Sequence, residues 1–243
     1  HFAQQRCLWV ILFVFVIWIA LHMGAVVNAA TITVNSLNDS WDGTCRDTEC
    51  TLRDAIKEAE TGDTIVFSVT GTITLEEFSL FVDKGLTIAG PGPSQLVIET
   101  EIDSNSGVFT IANMSGIGCT IYGMTITGST TSGVGGGITN YGGTLILSDC
   151  VITGNTAELG GGIYTEHPIK MINCTVSSNK ASHNGGGIYS HGMLEINDST
   201  VINNTASRVA GGIYINYNTA IINNSTISDN TAGGAGGCIV IND

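Results

Sequence analysis

A glycine cluster returns every 25 residues through the second half of the chain, at Gly137, Gly162, Gly187, Gly212 and Gly237. Directly behind these glycines fall Ile138, Ile163, Ile188, Ile213 and Cys238, followed by Thr139, Tyr164, Tyr189, Tyr214 and Ile239. A second motif keeps the same beat, as ITGNTA from Ile152, VSSNKA from Val176, VINNTA from Val201 and ISDNTA from Ile227. A unit this short cannot bury an apolar face by itself, so repeats of this length stack into a solenoid in which each unit covers its neighbour.

The segments between the glycines, TLILSD, KMINCTV, MLEINDSTV and AIINNSTI, alternate apolar and polar residues over four to six positions. That is the period of a strand. Asn, Ser, Thr and Gly fill the gaps as turn residues, so each unit reads as one coil of a parallel β-helix. A leucine-rich repeat needs several leucines per unit, and a calcium-binding nonapeptide roll needs an aspartate after its glycines; neither is present. Some 213 residues at 25 per coil predict about eight coils.

In a parallel stack, equivalent residues lie about 4.8 Å apart and must tolerate copies of themselves. The isoleucines after each glycine are expected to stack inward, with Cys150, Cys174, Ser199 and Ser225 as a second inward column. Asn155, Asn179, Asn204 and Asn230 suit a turn in which side-chain amides hydrogen-bond along the stack. The glycines serve either a positive φ or a close backbone approach.

The formal charge of −13 makes nucleic acid an unsuitable partner and fits a solvated rod. Near the start, Arg6 precedes LWVILFVFVIWIALHMGAVVNAA, an apolar run ending in small residues that reads as an export signal over residues 1–30. Cleavage after Ala29 or Ala30 is expected, although the run is long enough to serve as an uncleaved anchor. Either outcome places the remainder outside the cytoplasm, where disulfides persist. Cys45 and Cys50, the nearest pair, are the expected disulfide. Cys150 and Cys174 stand either as stacked buried thiols, the favoured state, or as a bond between neighbouring coils. No Cys or His spacing indicates zinc, and no cofactor is expected. A chain that opens on His1 and stops inside a coil at Asp243 is expected to be part of a longer product, with any C-terminal anchor beyond it.

Residues 45–67, CRDTECTLRDAIKEAETGDTIVF, break the strand pattern. Leu52, Ala55, Ile56 and Ala59 share one helical face, and Thr51 with Asp54 forms an N-terminal capping pair. Such a helix ahead of a parallel stack is expected to cover the open edge and apolar cross-section of the first coil. Cys50-Thr-Leu-Arg-Asp-Ala55 followed by Gly62-Asp-Thr-Ile65 resembles the CSLREA domain found near the start of secreted bacterial proteins. The repeats resemble those of right-handed parallel β-helix surface proteins that include the chlamydial polymorphic membrane proteins, with GGGI or AGGI for their GGA[ILV] motif, which implies a right-handed coil here. Ile152 to Asn155, Val176 to Asn179, Val201 to Asn204 and Ile227 to Asn230 stand for their FxxN motif, with Ile or Val in place of Phe. The division expected is an export segment or anchor at 1–30, a CSLREA-like cap at 31–67 and β-helix repeats at 68–243. The resemblance implies a secreted or cell-surface protein, outer membrane included, often an adhesin, and it carries no catalytic residues.

Pectin-degrading lyases and glycoside hydrolases also use β-helices, so function must be read from a site and not from the fold. Of the polygalacturonase motifs NTD, DD, GHG and RIK, only SHG at Ser190 to Gly192 and PIK at Pro168 to Lys170 have counterparts, in reverse order. A lyase needs clustered acids and an arginine, and the repeats offer Arg208 alone. Asp149 and Asp198 are the best paired acids, two coils apart in one column with Asn173 and Asn224; an outward column that keeps a sheet face soluble is the plainer reading. Glu166, His191 and adjacent His167 could form a small polar or metal-binding cluster, with turn residues of mixed type as the commoner explanation. Tyr164, Tyr189 and Tyr214 should form an outward stacked aromatic strip of a kind that binds sugars or proteins, although stabilising neighbouring strands without a ligand is the plainer reading. The reading is a non-catalytic, extracytoplasmic β-helix whose partner is an extracellular glycan or a protein on a host or neighbouring cell, with the membrane involved only through an anchor.

Overall fold

The computed structural model describes residues 29–41, 43–45, 48–100, 107–113 and 116–242. They form an all-β parallel solenoid of about seven turns. Sheets of eight, seven and seven strands run along it, and a fourth of four very short strands joins them in the later coils. The expected export segment at residues 1–30 lies outside the described residues except for Ala29 and Ala30. Among the described residues no helix is long and apolar enough to cross a membrane.

The inward columns form because strand alternation sends every second side chain into the coil. Ile138, Ile163, Ile188 and Ile213 pair in register, and all are fully buried. Ile126, Ile152, Val176 and Val201 make a second buried column in another sheet. Each such side chain contributes roughly 1.5–3 kcal/mol through burial.

Two features depart from the strict 25-residue beat. In the last coil Ile213 pairs with Ile239 and not with Cys238. An extra residue enters the turn after Asn216, so Leu194 already pairs with Ala220, and Cys238 falls into the glycine column beside Gly212. The earlier coils are longer: Leu80, Phe109 and Ile138 share a column 29 residues apart. Longer coils, together with the loop and helix before Thr64, explain seven turns where a uniform period predicts eight.

The glycine triplets divide the two expected tasks between them. The first of each, Gly135, Gly160 and Gly185, has φ of +63°, +62° and +66°, a conformation that costs other residues about 1 kcal/mol or more. The second and third are close approaches: a Cβ on Gly161 would lie 2.5 Å from Gly186 O, and one on Gly162 would lie 2.8 Å from Gly187 O.

Beside them runs the asparagine column. Asn155, Asn179, Asn204 and Asn230 are all buried. The Nδ2 of each donates to the Oδ1 of the next, at 3.1, 3.0 and 2.9 Å. That same Oδ1 also accepts the preceding asparagine's backbone N–H, at 3.0, 2.9 and 2.9 Å. The turn is thereby sealed without an orphaned amide.

At the N-terminal end, strand Thr31–Val34 pairs with Thr64–Phe67, and the chain between them leaves the sheet to form a helix, Leu52–Glu58. Thr51 Oγ1 accepts the Asp54 N–H at 3.1 Å, and its single hydroxyl hydrogen is shared between two acceptors, the Asp54 carboxylate at 2.8 Å and Ser40 O at 2.9 Å. Leu52, Ala55, Ile56 and Ala59 are buried on the helix face that packs on strands Thr31–Val34 and Leu80–Val82. Asp63 accepts the N–H groups of Ala30 and Glu60 at 2.7 and 2.8 Å, tying the first strand to the end of the helix. Cys45 and Cys50 are joined by a disulfide.

Candidate functional site

Tyr164, Tyr189 and Tyr214 occupy one column on strands Ile163–Thr165, Ile188–Ser190 and Ile213–Asn216. Their rings stack, with centroids 5.5 and 4.9 Å apart and planes inclined by 18° and 22°. Strand alternation turns them out of the core, yet Tyr164 and Tyr189 are each only 7 % exposed. Further rings pack against the stack at steep angles: Tyr141 lies 6.1 Å from Tyr164, and the His191 ring lies 5.9 and 5.2 Å from Tyr164 and Tyr189. The strip is therefore not the open aromatic platform that the alternation by itself implies. Its rings are covered largely by one another and by Tyr141 and His191.

The polar rim follows from the same register. Glu166, His191 and Asn216 follow one another in the column that closes these strands. The Tyr164 hydroxyl donates to Glu166 at 3.2 Å, and Asn216 Nδ2 lies 3.1 Å from His191 Nδ1, the amide donating. Asn242 Nδ2 continues to Asn216 Oδ1 at 2.9 Å. His167 lines an open groove of about 440 Å³ with Asn113, Tyr141, Thr144, Glu166 and Pro168. Tyr141, 39 % exposed, links this groove to the tyrosine strip. The 25-residue beat misses Tyr141 because it places Thr139, two residues earlier, in the tyrosine column.

Burial, and then the Glu166 carboxylate, raise the pKa of Tyr141 and Tyr164; burial and neighbouring Tyr214 raise that of Tyr189. Burial also pushes the Cys119 thiol up to about 12. All four groups hold their protons more tightly folded than unfolded. The stability this represents is complete below the unfolded pKa values, roughly 8.5 for Cys and 10 for Tyr, and is lost as pH rises toward the folded values. Denaturant midpoints should therefore fall between about pH 9 and 11, and fall less in a Tyr164→Phe, Tyr189→Phe variant. Parallel pH profiles for the two proteins would show that these rings do not titrate with unfolding.

Asp149 and Asp198 occupy the turn column with Asn173 and Asn224, all four at φ between 48° and 52°. Asn173 Nδ2 donates to Asp149 Oδ1 at 2.6 Å, and Asn224 Nδ2 donates to Asp198 Oδ1. Each carboxylate is thus held by the amide below it, and alternating Asp with Asn keeps like charges two coils apart. These are left-handed turn residues with short polar side chains, a conformation Asn and Asp adopt readily. Cys150 and Cys174 are free, buried thiols; Cys174 N–H donates to Ser199 Oγ at 2.9 Å, which continues the column inward. Among the described residues no three His, Cys, Asp or Glu side chains converge to hold a metal ion.

Two stretches, residues 149–166 and 173–191, match a protein-family model described as the Chlamydia polymorphic membrane protein (Chlamydia_PMP) repeat. Each begins at the left-handed Asp/Asn turn, includes the buried ladder asparagine and the glycine triplet, and ends at the tyrosine strip and its polar rim. No curated protein and no solved structure matches the chain significantly. The chain carries repeats similar to those of the polymorphic membrane proteins, wound as a parallel β-solenoid.

Proposed function

We propose that this is a non-catalytic, extracytoplasmic surface protein, of the secreted or outer-membrane type, whose solenoid face binds an extracellular glycan or a protein on another cell. The observation that carries the reading is the stacked column of Tyr164, Tyr189 and Tyr214, joined through Tyr141 and Glu166 to the open groove that these two residues line with His167. Hydroxyls, a carboxylate and an exposed ring on a rigid sheet suit polar ligands with some apolar surface. The repeat similarity supports a surface location. The hydrogen-bonded, turn-bound state of Asp149 and Asp198 supports a solubilising column over an acid and base pair. The helix Leu52–Glu58 acts as the CSLREA-like cap of the first coil, a role supported by its buried apolar face.

The test separates binding from stacking. Replacing all three tyrosines with Phe keeps the rings and removes their hydroxyls, while Tyr141→Ser with Glu166→Gln alters the groove together with its two contacts to Tyr164. On a glycan array or a cell-binding assay each variant should bind about tenfold or more weakly, equivalent to about 1.4 kcal/mol. Melting temperature should stay within a few degrees of the parent protein. Unchanged binding in both variants would sink the proposal.

A further inference from the structure

Away from the tyrosine strip, a cleft of about 410 Å³ opens at the N-terminal end between the helix Leu52–Glu58 and strand Leu80–Val82. Leu80–Val82 is the edge strand of its seven-stranded sheet. Leu80 N–H donates to Val108 O across the pair, and in a parallel ladder alternate residues aim their backbone groups to opposite sides. The N–H and C=O of Phe81 therefore face the cleft, as do those of Ser79. The helix supplies a substitute neighbour for the first part of this edge: Arg53, paired with Asp39 at 2.8 Å, donates to Phe78 O and Ser79 O at 2.8 and 3.3 Å. At the far end Lys84 Nζ reaches the helix carbonyls of Lys57 and Ala59 at 3.0 and 2.7 Å. The helix is thus clamped at both ends of the cleft, and the middle of the edge, at Phe81, has no protein partner among the described residues.

The side chains around this edge are unusual for a protein surface. Trp41, Phe78 and Phe81 are 55, 62 and 56 % exposed and border one cleft. Three of the four basic residues between positions 31 and 103, Arg53, Lys57 and Lys84, line it too, in the part of the chain richest in acids. Arg53 is neutralised by Asp39, and Asp83 sits on the Lys84 side. Lys57, exposed and 4.8 Å from the Trp41 ring centroid, marks the end where a carboxylate is welcome.

We propose that this cleft is a peptide-docking site. It takes a short extended segment of a partner protein, which adds to the Leu80–Val82 edge through the Phe81 backbone, sets apolar side chains among Trp41, Phe78 and Phe81, and places an acidic residue beside Lys57. Edge addition of this kind draws affinity from main-chain hydrogen bonds and specificity from alternate side chains. Exposed aromatics at an open edge are otherwise an aggregation hazard.

The experiment uses the full chain and the synthetic peptide acetyl-DVTFTVE-amide, with binding followed by fluorescence anisotropy. Three comparisons read the mode. The first is the same peptide N-methylated at alternate residues, which removes its edge hydrogen bonds. The second sets Phe81→Pro against Phe81→Ala, which differ in the backbone N–H; proline is tolerated where an edge N–H faces away from the ladder. The third is Lys57→Glu. Saturable binding is expected, weakened at least tenfold by N-methylation, more by Phe81→Pro than by Phe81→Ala, and severalfold by Lys57→Glu. Absence of saturable binding up to 1 mM peptide, roughly −4 kcal/mol, or equal binding of the N-methylated peptide, overturns the proposal. Self-association of the chain through this cleft that excess peptide does not reverse overturns it as well, assigning the edge to a second copy.

Discussion

At pH 7, Asn179→Asp is expected to lose most of the stability of the coils around it, although it changes one NH2 group to an oxygen. Asn179 Nδ2 donates to Ile152 O and Asn204 Oδ1, both at 3.0 Å, and the side chain is nearly inaccessible. An aspartate would set an acceptor against two acceptors and bury an unpaired charge. Breaking a buried, paired arrangement in this way costs about 3–5 kcal/mol, against roughly 5–15 kcal/mol for a whole domain. Burial and the facing oxygens would raise the new carboxyl's folded pKa above its unfolded value of about 4. The penalty relative to the parent should then be smallest near pH 4 and grow as pH rises through the folded pKa. Asn179→Ala should be destabilised too, without the pH dependence, because it removes the acceptor of the buried Asn155 N–H and breaks the amide ladder. Urea unfolding followed by circular dichroism at pH 4 and pH 7 measures this. A variant with the parent midpoint at pH 7, or with the same loss at both pH values, would remove the ladder from the account of stability.

Gly186→Ala is expected to be nearly as damaging, for a purely steric reason. A Cβ there would lie 2.4 Å from Gly211 O and 2.5 Å from the carbonyl carbon and oxygen of Thr205. All three are backbone atoms of the next coil, so no side chain can swing away. The coils must part, which strains the 3.0 Å bond from Gly186 N–H to Ala210 O and its neighbours. The cost should exceed about 3 kcal/mol, at the upper end of overpacking effects. Gly154 is the contrast. Its φ is +68° and an added Cβ would meet only Thr127 Oγ1, at 3.2 Å. Ser178, Asn203 and Asp229 already take a positive φ at the same point of later coils. Gly154→Asn should therefore shift the midpoint by no more than about 1 kcal/mol. Similar losses in the two variants would mean that backbone conformation, and not the approach of coils, governs these glycines.

The parallel solenoid was legible in the sequence because stacking imposes a linear rule. Each residue meets a copy of its own position, so Ile138, Ile163, Ile188 and Ile213 announce an inward column, and Asn155, Asn179, Asn204 and Asn230 announce a ladder, before any coordinates are known. Where the period held, the register followed. It failed at Ile239, where one extra residue after Asn216 moved the last coil. A count of residues between glycines cannot tell a turn that absorbs an insertion from a strand that shifts.

What only the tertiary structure decided concerns contacts between different positions of the coil. Strand alternation sends Tyr164 and Tyr189 outward, but Tyr141 and His191, from other points of the coil, pack against the stacked rings and leave the two tyrosines nearly buried. Spacing alone leaves Asp149 and Asp198 readable as a solubilising column, the plainer reading, or as a distant acid and base pair; the left-handed turn hands each one to an asparagine below. The N-terminal cleft gave no signal at all, since Trp41, Arg53, Lys57 and Phe81 belong to no repeat. They meet because the helix Leu52–Glu58 lies against the Leu80–Val82 edge, and the docking of a non-repeating element depends on packing between surfaces that share no period.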